Sequence, residues 1–250
     1  MGSIKFVALD MDGTLLNDRQ EVSKENAKWI RKATEAGIVV SFATGRGYQS
    51  ALPYAEQLGL ETPMITVNGG EIWSRPQVLH ERTLMSVAMM KRLHELALRH
   101  EECWYWAYST MGVYNKENWR EIGGDFESQH WLKFGYFTED APMLSAILAE
   151  TSSWGGLEIT NSSPTNLEMN PAGVTKAAAI REVCKLLGID MSQVAAMGDS
   201  LNDIAMIREA GLGVAMGNAQ DEVKAAADVV NVTNEEDAVA RLLQDYVLKG

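Results

Sequence analysis

The chain has 250 residues, 46% of them hydrophobic, and a formal net charge of -12 at pH 7. That length suits one large domain or a core domain with an insertion, and the acidic balance repels a nucleic-acid backbone, which argues against DNA or RNA as a partner. Two cysteines, Cys103 and Cys184, are too few for a disulfide framework or a zinc set, and their apolar contexts suit buried thiols.

The first element, "IKFVAL" (4–9), is a continuous apolar run of the kind that forms a strand buried on both faces. It is short and runs straight into acids, unlike a signal peptide, and no apolar run in the chain nears the roughly 20 residues of a membrane helix. A soluble, cytoplasmic protein with no membrane partner is expected. "SKENAKWIRKATEAG" (23–37) predicts a helix with Ser23 as N-cap and Gly37 as its stop. "IVVSFA" is the next strand, residues 47–59 the next helix, and "MITV" a third strand closed by "NGG". This β-α-β-α-β order predicts a parallel sheet with helices on both faces.

The regularity breaks near residue 71. "EIWSRPQVLHERT" reads as two short strands around Arg75-Pro76, followed by a helix over 85–100. Aromatic, strand-like pieces come next: "CWYWAYS", "GVYN" and "WLKFGYF". Trp104, Trp106, Trp119, Trp131 and Trp154 all lie between residues 100 and 160, a composition shift that marks a separate α+β unit. Alternation then resumes with helix 174–187, strand "QVAAMGD", helix 200–210, strand "LGVAM", helix 219–227, strand "DVVNV" and helix 235–248. The expected fold is α/β: a doubly wound, mainly parallel, Rossmann-like core (1–80 and 172–250) with an inserted α+β cap (81–171).

"LDMDGTLLND" (9–18) crowds Asp10 and Asp12 at the end of the first strand, where like charges repel unless something neutralises them. Ligands of open parallel sheets bind at the carboxyl ends of strands. Three more polar clusters fall at such ends: Thr44 with Gly45 and Arg46, Asn68-Gly69, and "GDSLND" (198–203) with Asp199, Asn202 and Asp203. Several carboxylates at one sheet edge, with few nitrogen or sulfur neighbours, make a hard oxygen site suited to Mg²⁺. An EF-hand is excluded. Asp10, Asp12, Asp18 and Glu21 match its ligand spacing, but Leu15 holds the glycine position and a strand-like run precedes the loop. Taken singly, each residue also has a plain structural reading: Asp12-Gly13 as a turn, Asp203 as a helix start, Thr44 as a strand-end hydroxyl, and Lys176 as a solvated lysine in a first helical turn.

Together these stretches resemble the haloacid dehalogenase superfamily of phosphotransferases, and within it the Cof-type phosphatases with a large α+β cap. "DMDGTLL", "FATGR", "GVTKAAAI" and "GDSLNDIAM" occur in the family's order, and "ITVNGGEI" and "GVAMGNAQDEVKAAADVV" are similar to that branch. The resemblance spans residues 4–240 and is weakest through the cap. One departure is Ala238, where the family usually has glycine; it lies far from the motifs.

The resemblance implies Asp10 as the nucleophile that forms an aspartyl-phosphate, and Asp12 as general acid to the leaving alcohol, then base for water. It implies Mg²⁺ held by the Asp10 side chain, the Asp12 carbonyl and the Asp199 side chain, with Asp203 behind them. Thr44, Gly45, Lys176 and Asn202 would bind phosphoryl oxygens. Arg46 and Asn68 border this site as candidate substrate contacts. Glu168 and Asn170 of "NLEMNP", where the cap rejoins the core, are candidates for a leaving-group contact or a plain strand end. The cap tryptophans are assigned to its core, and the four histidines to no role. The implied function is a Mg²⁺-dependent phosphatase of small phosphorylated metabolites, acting as a monomer or small homo-oligomer. Sugar phosphates head the list, followed by pyridoxal phosphate or a flavin nucleotide. The alternatives are a sugar-phosphate phosphomutase and a non-catalytic metal-dependent binding or regulatory module.

Overall fold

The structure is a computed structural model and describes residues 3–249. The chain opens with β1 (Phe6–Leu9), wholly buried, as its unbroken apolar run requires. α1 (Lys24–Glu35) starts where the Ser23 side chain accepts from the Asn26 N–H. β2 (Val39–Phe42), α2 (Tyr48–Leu58), β3 (Met64–Thr66), β4 (Glu71–Arg75) and β5 (Val78–Arg82) follow. The middle of the chain forms α3 (Val87–Arg99), β6 (Trp104–Ser109), β7 (Gly112–Asn115), β8 (Trp131–Phe137), α4 (Ala141–Ser152), β9 (Leu157–Thr160) and β10 (Asn166–Pro171). The chain closes with α5 (Lys176–Leu187), β11 (Val194–Gly198), α6 (Ile204–Glu209), β12 (Leu212–Ala215), α7 (Asp221–Ala226), β13 (Val229–Val230) and α8 (Ala238–Leu242).

The residues divide into two compact units: Met1–Glu81 with Thr175–Gly250, and Arg82–Val174. The first is built on a parallel sheet in the order β13-β12-β11-β1-β2. β1 sits beside β11 with Leu9 opposite Met197, so the loops after both strands, carrying Asp10 and Asp199, leave the sheet side by side. The third strand departs from expectation. β3 reaches β2 only through the single parallel bridge Ala43–Ile65, and its ladder is antiparallel, with β4, in a three-stranded sheet β3-β4-β5. The turn through Gly69 and Gly70 folds the chain straight back on β3, so an antiparallel partner forms before any helical crossover. The long predicted C-terminal helix is also divided: α8 is followed by a wider turn over Leu243–Val247.

The second unit carries an antiparallel sheet, β7-β6-β8-β10-β9. Its apolar core joins Leu93 and Leu96 of α3 and Ile147 of α4 to Tyr105, Phe134, Tyr136, Leu167 and Met169 of the sheet. Trp119 and Trp131 belong to that core and stack 5.9 Å apart. β9, β10 as a full strand, and α4 are elements that the sequence pattern left undivided. Helix content is hidden there because "APMLSAILAETS" is apolar almost all round and lacks a clean stripe.

Candidate active site

Asp10 is the first residue after β1; its N–H donates to the Met197 carbonyl of β11 at 3.0 Å, and the residue is 5% exposed. Lys176, first residue of α5, points its ammonium into the same place. Nζ lies 2.5 Å from Asp10 Oδ1 and 2.7 Å from Asp203 Oδ1, and the lysine is 1% exposed. The reading of Lys176 as a solvated first-turn lysine is therefore wrong: two buried carboxylates draw its stem inward and outweigh the unfavourable helix end.

Asp203 is fixed by its own backbone. Its Oδ2 accepts from the N–H groups of Asp199 and Ser200 at 2.9 and 3.0 Å, in a reciprocal capping box with Ser200. Asp199, just beyond β11, accepts from Thr14 Oγ1 at 3.2 Å and Ser200 Oγ at 3.0 Å. Oxygens of Asp10, Asp199 and Asp203 all lie within 4.8 Å of one another. Glycines make the closeness feasible: a Cβ on Gly198 would stand 2.2 Å from the Asp203 carboxyl carbon.

The electrostatics follow from three carboxylates facing one ammonium. Burial pushes the Asp10 carboxyl well above its usual range, Asp203 and Asp199 add to the push, and Lys176 opposes it without cancelling it. Burial, then Asp203, pushes Asp199 up to about 7. Burial alone would lower Lys176, but Asp10 and Asp203 outweigh it and hold the ammonium above its ordinary range. Burial is the larger cause of the raised Asp10 and Asp199 carboxyls, while facing carboxylates raise the ammonium; with all three carboxyls ionised against one ammonium, the cluster carries surplus negative charge. A divalent cation would offset that surplus, and an all-oxygen donor set suits a hard ion such as Mg²⁺; Asp10, Asp199 and Asp203 are the side chains that could hold it.

Around this centre the chain places the other polar candidates. Thr44 is fully buried at the end of β2, with its Oγ1 accepting from the Arg46 N–H at 3.1 Å; Gly45 lies between them in sequence. The loop after β3 runs left-handed through Val67, Asn68 and Gly69, at φ values of +54°, +58° and +99°. A β-branched residue in that region is strained. The strained loop sets Asn68 Oδ1 3.2 Å from Asn202 Nδ2. Asn202 Oδ1 is buried and has no hydrogen-bond partner among the described residues. Asp12 is exposed, unlike Asp10, and pairs through both oxygens with Arg46, at 2.6 and 2.7 Å.

Glu168 and Asn170 are the exceptions: they lie on β10, in the other compact unit, both buried. Glu168 is paired there with Lys133 of β8 at 3.1 Å. Glu168 lies inside the strand and Asn170 one residue before its end. Sequence reasoning missed Lys133, Thr14, Ser200 and Gln20, whose side-chain oxygen accepts from Arg46. Ser200-x-x-Asp203 is a capping-box spacing and could have been found; Lys133 carries no local signal, since only cross-strand register brings it to Glu168.

Comparisons with known proteins identify the family. The family of haloacid dehalogenase-like hydrolases matches over residues 7–145 and 125–243. The 5-amino-6-(5-phospho-D-ribitylamino)uracil phosphatase YcsE of Bacillus subtilis (strain 168) is 47% identical, over 98% of this chain and 96% of its own. Pyridoxal phosphate phosphatase YbhA of Escherichia coli (strain K12) is 27% identical, over 98% and 99%. A solved haloacid dehalogenase-like hydrolase from B. subtilis superposes with a TM-score of 0.87 at 27% identity, covering 97% of this chain and all of that one. The chain belongs to the haloacid dehalogenase-like hydrolases, and within them to the Cof-type phosphatases. Among the described residues no helix is long and apolar enough to cross a membrane.

Proposed function

We propose that this chain is a Mg²⁺-dependent phosphatase that hydrolyses small phosphorylated metabolites through an aspartyl-phosphate on Asp10. The observation that carries the reading is the buried cluster of Asp10, Asp199, Asp203 and Lys176, whose surplus negative charge calls for a cation beside a carboxylate nucleophile. Asp10 Oδ attacks phosphorus while the bond to the leaving oxygen breaks, and Asp12 gives that oxygen a proton. Water then attacks the phosphorus, its proton passing to Asp12, and Asp10 is regenerated. Bound Mg²⁺ would lessen the repulsion between the Asp10 carboxylate and the phosphate dianion. Thr44, the backbone at Gly45, Lys176 and Asn202 would hold phosphoryl oxygens. The half-satisfied Asn202 amide supports a polar partner at that place.

For the organic part, the 47% identical relative puts a phosphorylated ribityl-substituted pyrimidine first among the substrates to test, ahead of pyridoxal phosphate and the sugar phosphates. Arg46 and Asn68 border the phosphate cluster, while Glu168 and Asn170 are the cap candidates for selecting the leaving group. The test is phosphate release from a panel of these compounds with Mg²⁺, for the wild type and Asp10→Asn. The amide is nearly isosteric but cannot serve as the carboxylate nucleophile. Asp10→Asn activity within about tenfold of wild type, or about 1.4 kcal/mol of barrier, would show that Asp10 is not the nucleophile.

A further inference from the structure

We propose that Arg46 is a positioning residue that holds the Asp12 carboxylate in place to activate the water that hydrolyses the phosphoenzyme. The proposal rests on the aspartyl-phosphate reading above. Arg46 Nε donates to Asp12 Oδ2 at 2.7 Å and Nη2 to Oδ1 at 2.6 Å, a two-point pairing that fixes the plane of the carboxylate as well as its place. The partners are unequal. The Asp12 side chain is 47% exposed and Arg46 only 19%. Among the described residues the guanidinium is the one partner of both Asp12 oxygens.

Arg46 itself is anchored along its length. Its N–H donates to Thr44 Oγ1 at 3.1 Å, its carbonyl accepts from the Val67 N–H at 2.9 Å, Nη1 reaches Ser50 Oγ at 3.4 Å, and Nη2 also donates to Gln20. The guanidinium carbon lies 5.4 Å from the centre of the Tyr54 ring. The anchored side chain therefore sets the position of the free one. A carboxylate has about four lone-pair sites, so the fork leaves each oxygen one with which to accept from water.

A base is needed in the second half-reaction. There the water oxygen bonds to phosphorus, and the bond from phosphorus to Asp10 Oδ breaks with its electron pair returning to Asp10. The water proton goes to Asp12 and inorganic phosphate leaves; after an alcohol leaving group this proton replaces the one Asp12 gave up, and after p-nitrophenolate, which leaves unprotonated, it passes to solvent. With p-nitrophenyl phosphate the first half-reaction needs little acid help, because p-nitrophenolate leaves unassisted. Loss of Arg46 thus slows the second step selectively.

The experiment is rapid-mixing kinetics with p-nitrophenyl phosphate and Mg²⁺, together with intact mass, on the wild type, Arg46→Met, Arg46→Lys and Asp12→Ala. Arg46→Met is expected to give a stoichiometric burst of p-nitrophenolate, a steady-state kcat lowered about 10- to 100-fold, and an accumulated phosphoenzyme. Arg46→Lys, which keeps the charge but loses the fork, is expected to fall between it and the wild type. If Arg46→Met does not fold, Arg46→Lys decides: a burst supports the role. A loss confined to KM with no burst, or an unchanged kcat, overturns it, and Arg46 is then a substrate contact or a bystander. If Asp12→Ala accumulates phosphoenzyme and the Arg46 variants do not, the proposal for Arg46 alone fails. If Asp12→Ala also accumulates none, Asp12 is not the base and the proposal for Arg46 falls with it, while Asp10→Asn alone decides whether Asp10 is the nucleophile.

Discussion

Lys176 and Asp203 meet at 2.7 Å with both side chains fully buried, one at the first residue of a helix and the other in the turn after β11. Burying such a pair gains little over a well-packed apolar one, but removing one partner leaves a charge without compensation. Here the ammonium faces Asp10 as well, so two carboxylates lose their counter-charge together. Lys176→Met should cost about 3–5 kcal/mol of stability in the cation-free protein. Urea unfolding followed by circular dichroism measures it; a loss below about 1 kcal/mol would mean that the carboxylates are already protonated in the fold.

Gly13 lies at φ +75°, and a Cβ there would stand 2.7 Å from Asp199 Oδ2. Alanine at this position meets two costs: left-handed backbone, about 1–2 kcal/mol, and a collision with a carboxylate held by Thr14 and Ser200. Asp199 is the softer partner and should yield. Gly13→Ala is therefore expected to lower kcat about 100-fold while costing about 2 kcal/mol of stability. Steady-state phosphate release and thermal unfolding test the two halves, and a variant with full activity would show that Asp199 need not stay where it is.

The strand-loop positions of Asp10, Thr44, Asn68 and Asp199 were legible because a buried parallel strand has an unmistakable apolar run and ends at a polar residue. Lys176 was not legible from the residues alone: a lysine in a first turn reads as solvated unless the two acids it meets, 166 and 27 positions away in the chain, are known to converge. The resemblance placed it in the site; the residue pattern did not. The pairing of Arg46 with Asp12 was hidden for the same reason, spanning 34 positions. β3 was assigned to the main sheet because alternation cannot distinguish a crossover from a tight antiparallel return. In the cap, register alone brings Lys133 to Glu168, and no local signal encodes register.

The acidic centre should make stability depend on cation and pH together. Asp199 titrates near 7 in the fold against an ordinary value of 3.8. Between those values the folded state binds more protons than the unfolded one, so this group's contribution to cation-free stability falls as pH rises toward 7. A divalent cation held there would bind the ionised carboxylates and release the protons. Mg²⁺ at ten times its dissociation constant should add about 1.4 kcal/mol, or about 3–5 °C in Tm, at pH 8, and clearly less at pH 5.5. Exhaustive chelation should abolish phosphatase activity, and added Mg²⁺ should restore it. Thermal scans with and without MgCl₂ at the two pH values check the linkage. An equal shift at both, or one that survives in Asp199→Asn, would place the cation elsewhere.

His94 of α3 offers a second pH effect, of the opposite sign and from the other compact unit. Its ring stacks on Trp119 at 4.3 Å between centroids and meets Tyr105 edge-on at 5.4 Å, with Phe126 at 5.7 Å. Burial in this aromatic nest lowers its pKa to about 4, from an ordinary 6.5. The Lys91 ammonium lies over the neighbouring Phe126 ring at 5.9 Å and adds no attraction for a second positive charge. Above pH 6.5 the imidazole is neutral in both states, and its packing contributes in full. As pH falls toward 4 the unfolded chain takes up a proton that the folded one refuses, so stability is lost. Discounted for the ring's partial exposure, the loss from this group is about 1–2 kcal/mol by pH 5. His94→Phe keeps an aromatic ring in the nest and removes the titration. The difference in unfolding free energy between variant and wild type should therefore move in the variant's favour by that amount from pH 7.5 to pH 5. A difference constant across the range would mean that the folded protein protonates His94 as readily as the unfolded chain does, and that the nest opens to water.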